Sequence, residues 1–271
     1  MITKCIICNI DGEDFGSRPM YNKYTSEDPS GVSSGIKRHY SFLKCPNCGL
    51  WWVKDPDENY EKMYETEEYW WNYHKNRGWN SIDETPRIEN DLKYSLWRLP
   101  EIQKFVTSGN VLEIGSSTGT MLKVLKDNGF NPFGVEPCSK VARQAMEYSK
   151  CPVFPNIKSV VLHDVVNWWA EKFDLVIALD VLEHLTDPVK HIKEWVDACG
   201  VGGIIMIECP TIACESAEKE GINWHMCIPT EHIYHYNENH VIQLFDRKGC
   251  EPLEVSNPWS TDRQRIFFRK N

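Results

Sequence analysis

From about residue 109 onward, short apolar runs alternate with helical stretches, and this alternation constrains the fold more than any other feature of the chain. The runs NVLEIG, PFGVE, FDLVIALD and GGIIMIE are short, rich in branched aliphatic residues and bounded by Gly, Pro or Asp, as buried strands are. Between them the sequence predicts helices over Thr118–Asn128, Ser139–Ser149, Pro188–Ala198 and Asn239–Lys248. Strands separated by helices of that length build βαβ units. The expected class is therefore α/β, with a doubly wound, mainly parallel sheet. Two strand-like pieces, CEPLEVSN and RQRIFFRK, close the chain.

Composition narrows the function. With 41% hydrophobic and 25% charged residues among 271, the chain is neither disordered nor fibrous. Thirty basic against thirty-nine acidic side chains leave a net charge of −9, which disfavours a phosphate-backbone partner. No apolar run is long enough to span a bilayer, and the N-terminus MITKCIICNI is not a secretion signal, so no membrane role is expected. Eleven cysteines, an odd number without an export signal, point to a reducing cytoplasm.

Four of those cysteines form two C-x-x-C pairs, Cys5/Cys8 and Cys45/Cys48. Two such pairs complete a tetrahedral thiolate site, which with four protein ligands is structural and holds Zn2+. In CPNCG, Pro46 tightens the knuckle and Gly49 leaves backbone N–H groups facing sulfur; CIICN lacks both. The 36 residues between the pairs exceed the usual ribbon spacing, so an insert is expected to loop out. Unliganded buried cysteines or one redox pair are the alternatives. The expected organisation is a zinc-ribbon-like domain over 1–55, a helical linker or lid over 56–105, and a cofactor-binding domain over 106–271.

VLEIGSSTGT reads as strand, glycine turn and helix start, a place where backbone N–H groups and a positive helix end face a ligand. Glu136 ends the next apolar run, 21 residues past Gly115, where a carboxylate accepts both ribose hydroxyls of a nucleoside. The turn is G-x-x-x-G rather than G-x-G-x-x-G, which weakens a dinucleotide reading. These segments, with FDLVIALDVLEHLTDPVKHIKE, resemble the class I S-adenosylmethionine-dependent methyltransferases over about residues 105–271. The resemblance implies a Rossmann-like seven-stranded sheet, six strands parallel and one antiparallel. It also implies that Glu113, Gly115, Ser116, Thr118, Gly119, Glu136 and Asp180 bind the cofactor, with Asn156 or Asp164 at the adenine. Ser117 stands where many members carry Gly.

With the cysteine pairs, the chain is similar to zinc-containing methyltransferases of bacterial sugar and natural-product pathways. That likeness implies a small, carbohydrate-like or nucleotide-linked acceptor, and IPTEHIYHYNENHV resembles the family's histidine segment. His232 is the first candidate base and His184 the second, since an imidazole titrates near working pH. His225, His232 and His235 also read as a solvated loop or a metal set. Methylation of RNA, DNA or protein, and a non-catalytic scaffold, remain alternatives. Tyr69, Trp70, Trp71, Tyr73 and Trp79 read as a stacking lid or as helix packing. Arg263, Arg265, Arg269 and Lys270 read as a diphosphate contact or a solvated edge.

Overall fold

The computed structural model describes residues 1–21, 37–57, 60–70, 85–162, 172–258 and 260–271. It divides into two compact units, one of Met1–Met63, Asp180–Lys193 and Ile207–Phe267, the other of Tyr64–Leu179, Glu194–Met206 and Phe268–Asn271. In chain order the strands are β1 (Glu13–Tyr21), β2 (Lys37–Lys44), β3 (Trp51–Val53), β4 (Gly109–Ile114), β5 (Phe130–Val135) and β6 (Val153–Phe154). Then follow β7 (Phe173–Leu179), β8 (Cys199–Pro210), β9 (Tyr234–His235), β10 (Cys250–Ser256) and β11 (Arg263–Lys270). The helices used below are α1 (Tyr60–Met63), α2 (Thr85–Gln103), α3 (Thr120–Asp127), α4 (Ser139–Ser149), α5 (Ile157–Leu162), α6 (Pro188–Ala198), α7 (Glu215–Glu220) and α8 (Glu238–Asp246).

The larger sheet has seven strands in the order β10-β11-β8-β7-β4-β5-β6, the doubly wound arrangement expected. β4 pairs in parallel with β5 and β7, from Gly109↔Phe130 to Ile114↔Val135 and from Val111↔Leu175 to Ile114↔Ala178. Strands covered on both faces read as continuous apolar runs, and Leu112, Leu175, Val176, Ile177 and Ala178 are fully buried. α4 and α6 begin and end where the hydrophobic pattern places them. α3 starts two residues later than expected because Gly119 takes a left-handed conformation and caps it. β6 and α5 carry too short an apolar signal to be read from pattern alone.

The smaller sheet, in the order β1-β2-β3-β9, belongs to the first unit. The insert between the cysteine pairs is more than a loop: it carries β1 and β2, antiparallel from Glu13↔Lys44 to Tyr21↔Lys37. Trp52 lies fully buried against Gly12, where a methyl group would meet the indole at 2.6 Å, so only glycine lets the first knuckle close on that ring. β3 pairs with β9, Trp51 opposite His235 and Trp52 opposite Tyr234.

In the same unit Arg265 donates through Nε to Glu208 Oε1 at 2.5 Å, with both side chains almost wholly buried. A buried pair loses most when one partner is removed, because the other is left as an uncompensated charge. Arg265→Met is expected to lose about 3–5 kcal/mol in urea unfolding, and adding Glu208→Leu to restore most of it. A single variant as stable as the wild type would contradict this.

Candidate functional site

In the second unit the turn after β4 is built around one carboxylate. Gly115 (φ 73°), Ser117 (φ 46°) and Gly119 (φ 76°) all take left-handed backbone. Of these Ser117 is the strained one, since it carries a Cβ. Gly119 has a second reason to be glycine, because a Cβ there would meet the Ala145 carbonyl oxygen at 2.9 Å. The N–H groups of Gly115 and Ser116 both donate to Val135 O, at 2.8 and 3.0 Å, clamping the turn to the end of β5. The next residue on β5's path is Glu136, whose Oε2 accepts from Ser117 N–H at 3.1 Å and Oε1 from Cys138 N–H at 3.0 Å.

Burial pushes Glu136 up to about 7, against the pull of the Cys138 and Ser117 N–H groups and the Arg87 charge. Burial also pushes Glu113 up to about 8, opposed by Arg98. Glu113 Oε2 and Ser116 Oγ are buried without a hydrogen-bond partner, and no side chain caps the N-terminus of α3. Backbone donors, a helix end and two spare polar atoms around a carboxylate suit a nucleoside with a polar tail.

Sequence reasoning missed two residues here. Arg87, near the start of α2, donates to Ser117 Oγ, pairs with Asp91 at 3.4 Å and lies 4.6 Å over the Trp70 ring. Asp91 in turn accepts from the Thr118 hydroxyl at 3.1 Å. The i,i+4 spacing of Arg87 and Asp91 in TPRIEND was the available signal, but nothing in it indicated the glycine turn.

The first unit gathers histidines. His184 and His232 meet edge to face with centroids 4.8 Å apart, and His235 lies 6.5 Å from His232. His184 Nδ1–H donates to Glu231 O at 2.5 Å, and His232 Nδ1–H to Met226 O at 2.6 Å. Burial and the neighbouring His232 hold His184 well below the usual imidazole value and bring His235 down to about 3, so both stay neutral. Glu183 is buried in the same cluster, and burial pushes it up to about 8.

His225 is not in this group; it points to Asp262 at 3.1 Å and is largely exposed. His235 stacks on Trp51. Asp180 follows β7 with left-handed backbone (φ 55°) and pairs with Arg263. The basic run is divided: Arg263 and Arg265 have carboxylate partners, and Lys270 donates to Val196 O and Cys199 O. Asn156 accepts from Ser159 N–H at 2.9 Å as a helix cap. Asp164, Trp71, Tyr73 and Trp79 lie outside the described residues, while Tyr69 is buried edge-on to Trp70.

Cys5, Cys8, Cys45 and Cys48 present four sulfurs within 4.8 Å of one another, Cys5 and Cys48 at 3.7 Å. A zinc tetrahedron with bonds of about 2.3 Å has an edge of about 3.8 Å, so the group fits one ion. Cys8 N–H and Cys48 N–H donate to the sulfurs of Cys5 and Cys45, at 3.3 and 3.5 Å. At Cys45 burial raises the thiol but N–H groups of Cys48 and Asn47 outweigh it, bringing it down to about 7.

The methyltransferase domain family matches residues 89–255. The chain belongs to that family. It is 26% identical over 124 residues to an uncharacterized methyltransferase of Alkaliphilus oremlandii, covering 46% of this chain and 55% of the relative. The match thus spans about half the length of that curated relative. Among solved structures, magnesium protoporphyrin IX methyltransferase of Synechocystis PCC 6803, with bound SAH, superposes at TM-score 0.55 and 12% identity over 79% of this chain and all of that one. A mitomycin 7-O-methyltransferase superposes at 0.57 and 12% identity, over 78% and 60%. At such identities these two speak for the fold.

Hydroxyls donate more strongly to a carboxylate than to a carboxylic acid, so a nucleoside held by Glu136 should bind best with that side chain ionised. Because Glu136 titrates at about 7, affinity for S-adenosylhomocysteine is expected to fall as pH drops from 8 to 6, approaching about tenfold per unit below 7. Glu136→Gln should flatten the profile. Calorimetric affinities that do not change over this range in the wild type would contradict the assignment. The folding contribution runs the other way: a raised carboxyl costs stability as pH rises from 4.5 to about 7.

Proposed function

We propose that this methyltransferase moves the methyl group of S-adenosylmethionine to a small acceptor, a sugar or nucleotide-linked sugar, at oxygen, nitrogen or carbon. The observation that carries the cofactor half is the buried Glu136 carboxylate held by Ser117 N–H at the glycine turn. Glu113, Gly115, Ser116, Thr118, Gly119 and Glu136 hold the cofactor, and Asp180 joins them on the family resemblance. The sulfonium supplies an already activated methyl group. The acceptor's lone pair forms the new bond to the methyl carbon while the carbon–sulfur electrons return to sulfur.

What the protein adds is alignment and a place for the acceptor's proton. His232 is that place, with His184 second. The tautomer with Nδ1–H on Met226 O leaves a lone pair on His232 Nε2, as a base requires. The carbohydrate-like acceptor rests on the sequence likeness to sugar methyltransferases, and the net charge of −9 weighs against nucleic acid. We assign residues 1–55 to a ribbon with structural zinc on Cys5, Cys8, Cys45 and Cys48, residues 56–105 to a helical linker or lid, and residues 106–271 to the catalytic domain. All eleven cysteines are free of disulfides, in keeping with a cytoplasmic enzyme. Among the described residues no helix is long and apolar enough to cross a membrane.

The test is transfer from methyl-labelled S-adenosylmethionine to a panel of nucleotide-linked sugars. His232→Asn is expected to lower kcat by about 10²–10⁴ while S-adenosylhomocysteine affinity stays put. Turnover at the wild-type rate in that variant would remove His232 from the base role. Cys45→Ser is expected to release zinc, read by metal content, and to lower the melting temperature; full zinc retention would contradict the ribbon.

A further inference from the structure

We propose that Glu183, His184 and His232 form a second metal site, for a divalent transition ion, separate from the four thiolates. Each offers one ligand atom, and the three atoms lie within 4.8 Å of one another inside the first unit. The donors are well matched to a metal. Both imidazoles give their Nδ1–H to a backbone carbonyl, His184 to Glu231 O and His232 to Met226 O, which places the lone pair on Nε2 of each ring. Ligating histidines are held in this way, the outer N–H on a carbonyl and the inner nitrogen on the ion.

The independent observation is Glu183. It is 2% exposed, and neither carboxylate oxygen has a hydrogen-bond partner. The His184 ring beside it, with Nε2 3.9 Å from Oε1, is neutral and supplies no counter-charge. A carboxylate taken from water needs a counter-charge or a proton, and a divalent ion between it and two imidazoles supplies the first.

The backbone preorganises the three. Glu183 and His184 sit on one 3₁₀ turn, Leu182–His184, and His232 on a turn closed by its N–H to Ile228 O. Ile233 N–H donates to Glu183 O at 2.7 Å, tying the two segments together. Ligand bonds of about 2.1 Å would draw the donors to about 3.4 Å apart, a contraction of about 1.4 Å at most. Two imidazoles and one carboxylate, with no thiolate, suit zinc, iron or cobalt better than magnesium or calcium.

This goes beyond the methyl-transfer reading but shares with it His232 and the second candidate base, His184. A lone pair that holds a metal cannot take a proton, so loading the site switches the proposed base off.

The experiment is a Co2+ titration of the full chain carrying zinc on its thiolates. The expected result is one equivalent of cobalt bound beyond the zinc, with two paramagnetically shifted, exchangeable imidazole N–H resonances. Glu183→Gln should weaken cobalt binding at least about tenfold, with zinc content and melting temperature unchanged, and cobalt should slow wild-type turnover. Cobalt bound no more than stoichiometrically with thiolate zinc displacement, or binding that Glu183→Gln leaves at full strength, would overturn the proposal. The resonances are read on the wild type, so the test stands even if the variant fails to fold. The titration needs no methyl donor, so a failed metal site leaves the methyl-transfer reading standing, and an inactive enzyme leaves the metal site standing.

Discussion

One buried carboxylate organises the second unit. Glu136 directly follows β5 where a charge is costly, and two backbone N–H groups, from Ser117 and Cys138, reach its two oxygens. The Ser117 bond, with the Gly115 and Ser116 N–H bonds to Val135 O, holds the turn between β4 and α3 in its left-handed path, strain at Ser117 included. The parallel register of β4 and β5 is what brings turn and carboxylate to one end of the sheet. Remove the carboxylate and the turn keeps its clamp on Val135 O but loses the acceptor of Ser117 N–H.

The first unit depends on a different device, the pairing of short strands with a histidine-bearing segment. β3 meets β9 through Trp51 and His235, and Val53 N–H donates to Ile233 O beside it. His240 caps α8 with Asn237 and reaches Cys48 O at 2.8 Å, so the second cysteine knuckle also has a helix end as a neighbour. The order in the thiolate group and in the histidine group thus runs through shared backbone bonds inside one unit. Neutral imidazoles follow from this burial, because water is too remote to solvate their charged forms.

Much of this was legible in the chain. The apolar runs located the central strands, α4 and α6 fell on their patterns, and the turn residues from Gly115 to Gly119 lie together with Glu136 as the spacing implied. What escaped was what a local pattern does not encode. β6 is two residues long and α5 six, below the length at which a period shows. The start of α3 moved because a left-handed Gly119 ends the turn later than propensity suggests. Arg87 and Asp91 reached the glycine turn through tertiary packing, which a local pattern does not encode.

The central claim is that the Glu136 turn is a nucleoside site for the methyl-donor cofactor and not for a dinucleotide. Titration calorimetry of the wild type and Glu136→Ala with S-adenosylhomocysteine, and with NAD as control, tests it most directly. The account predicts binding in about the micromolar range for S-adenosylhomocysteine, a loss of at least about 2 kcal/mol in the variant, and no heat with NAD. Equal affinity in wild type and variant, or NAD bound as tightly, would contradict it.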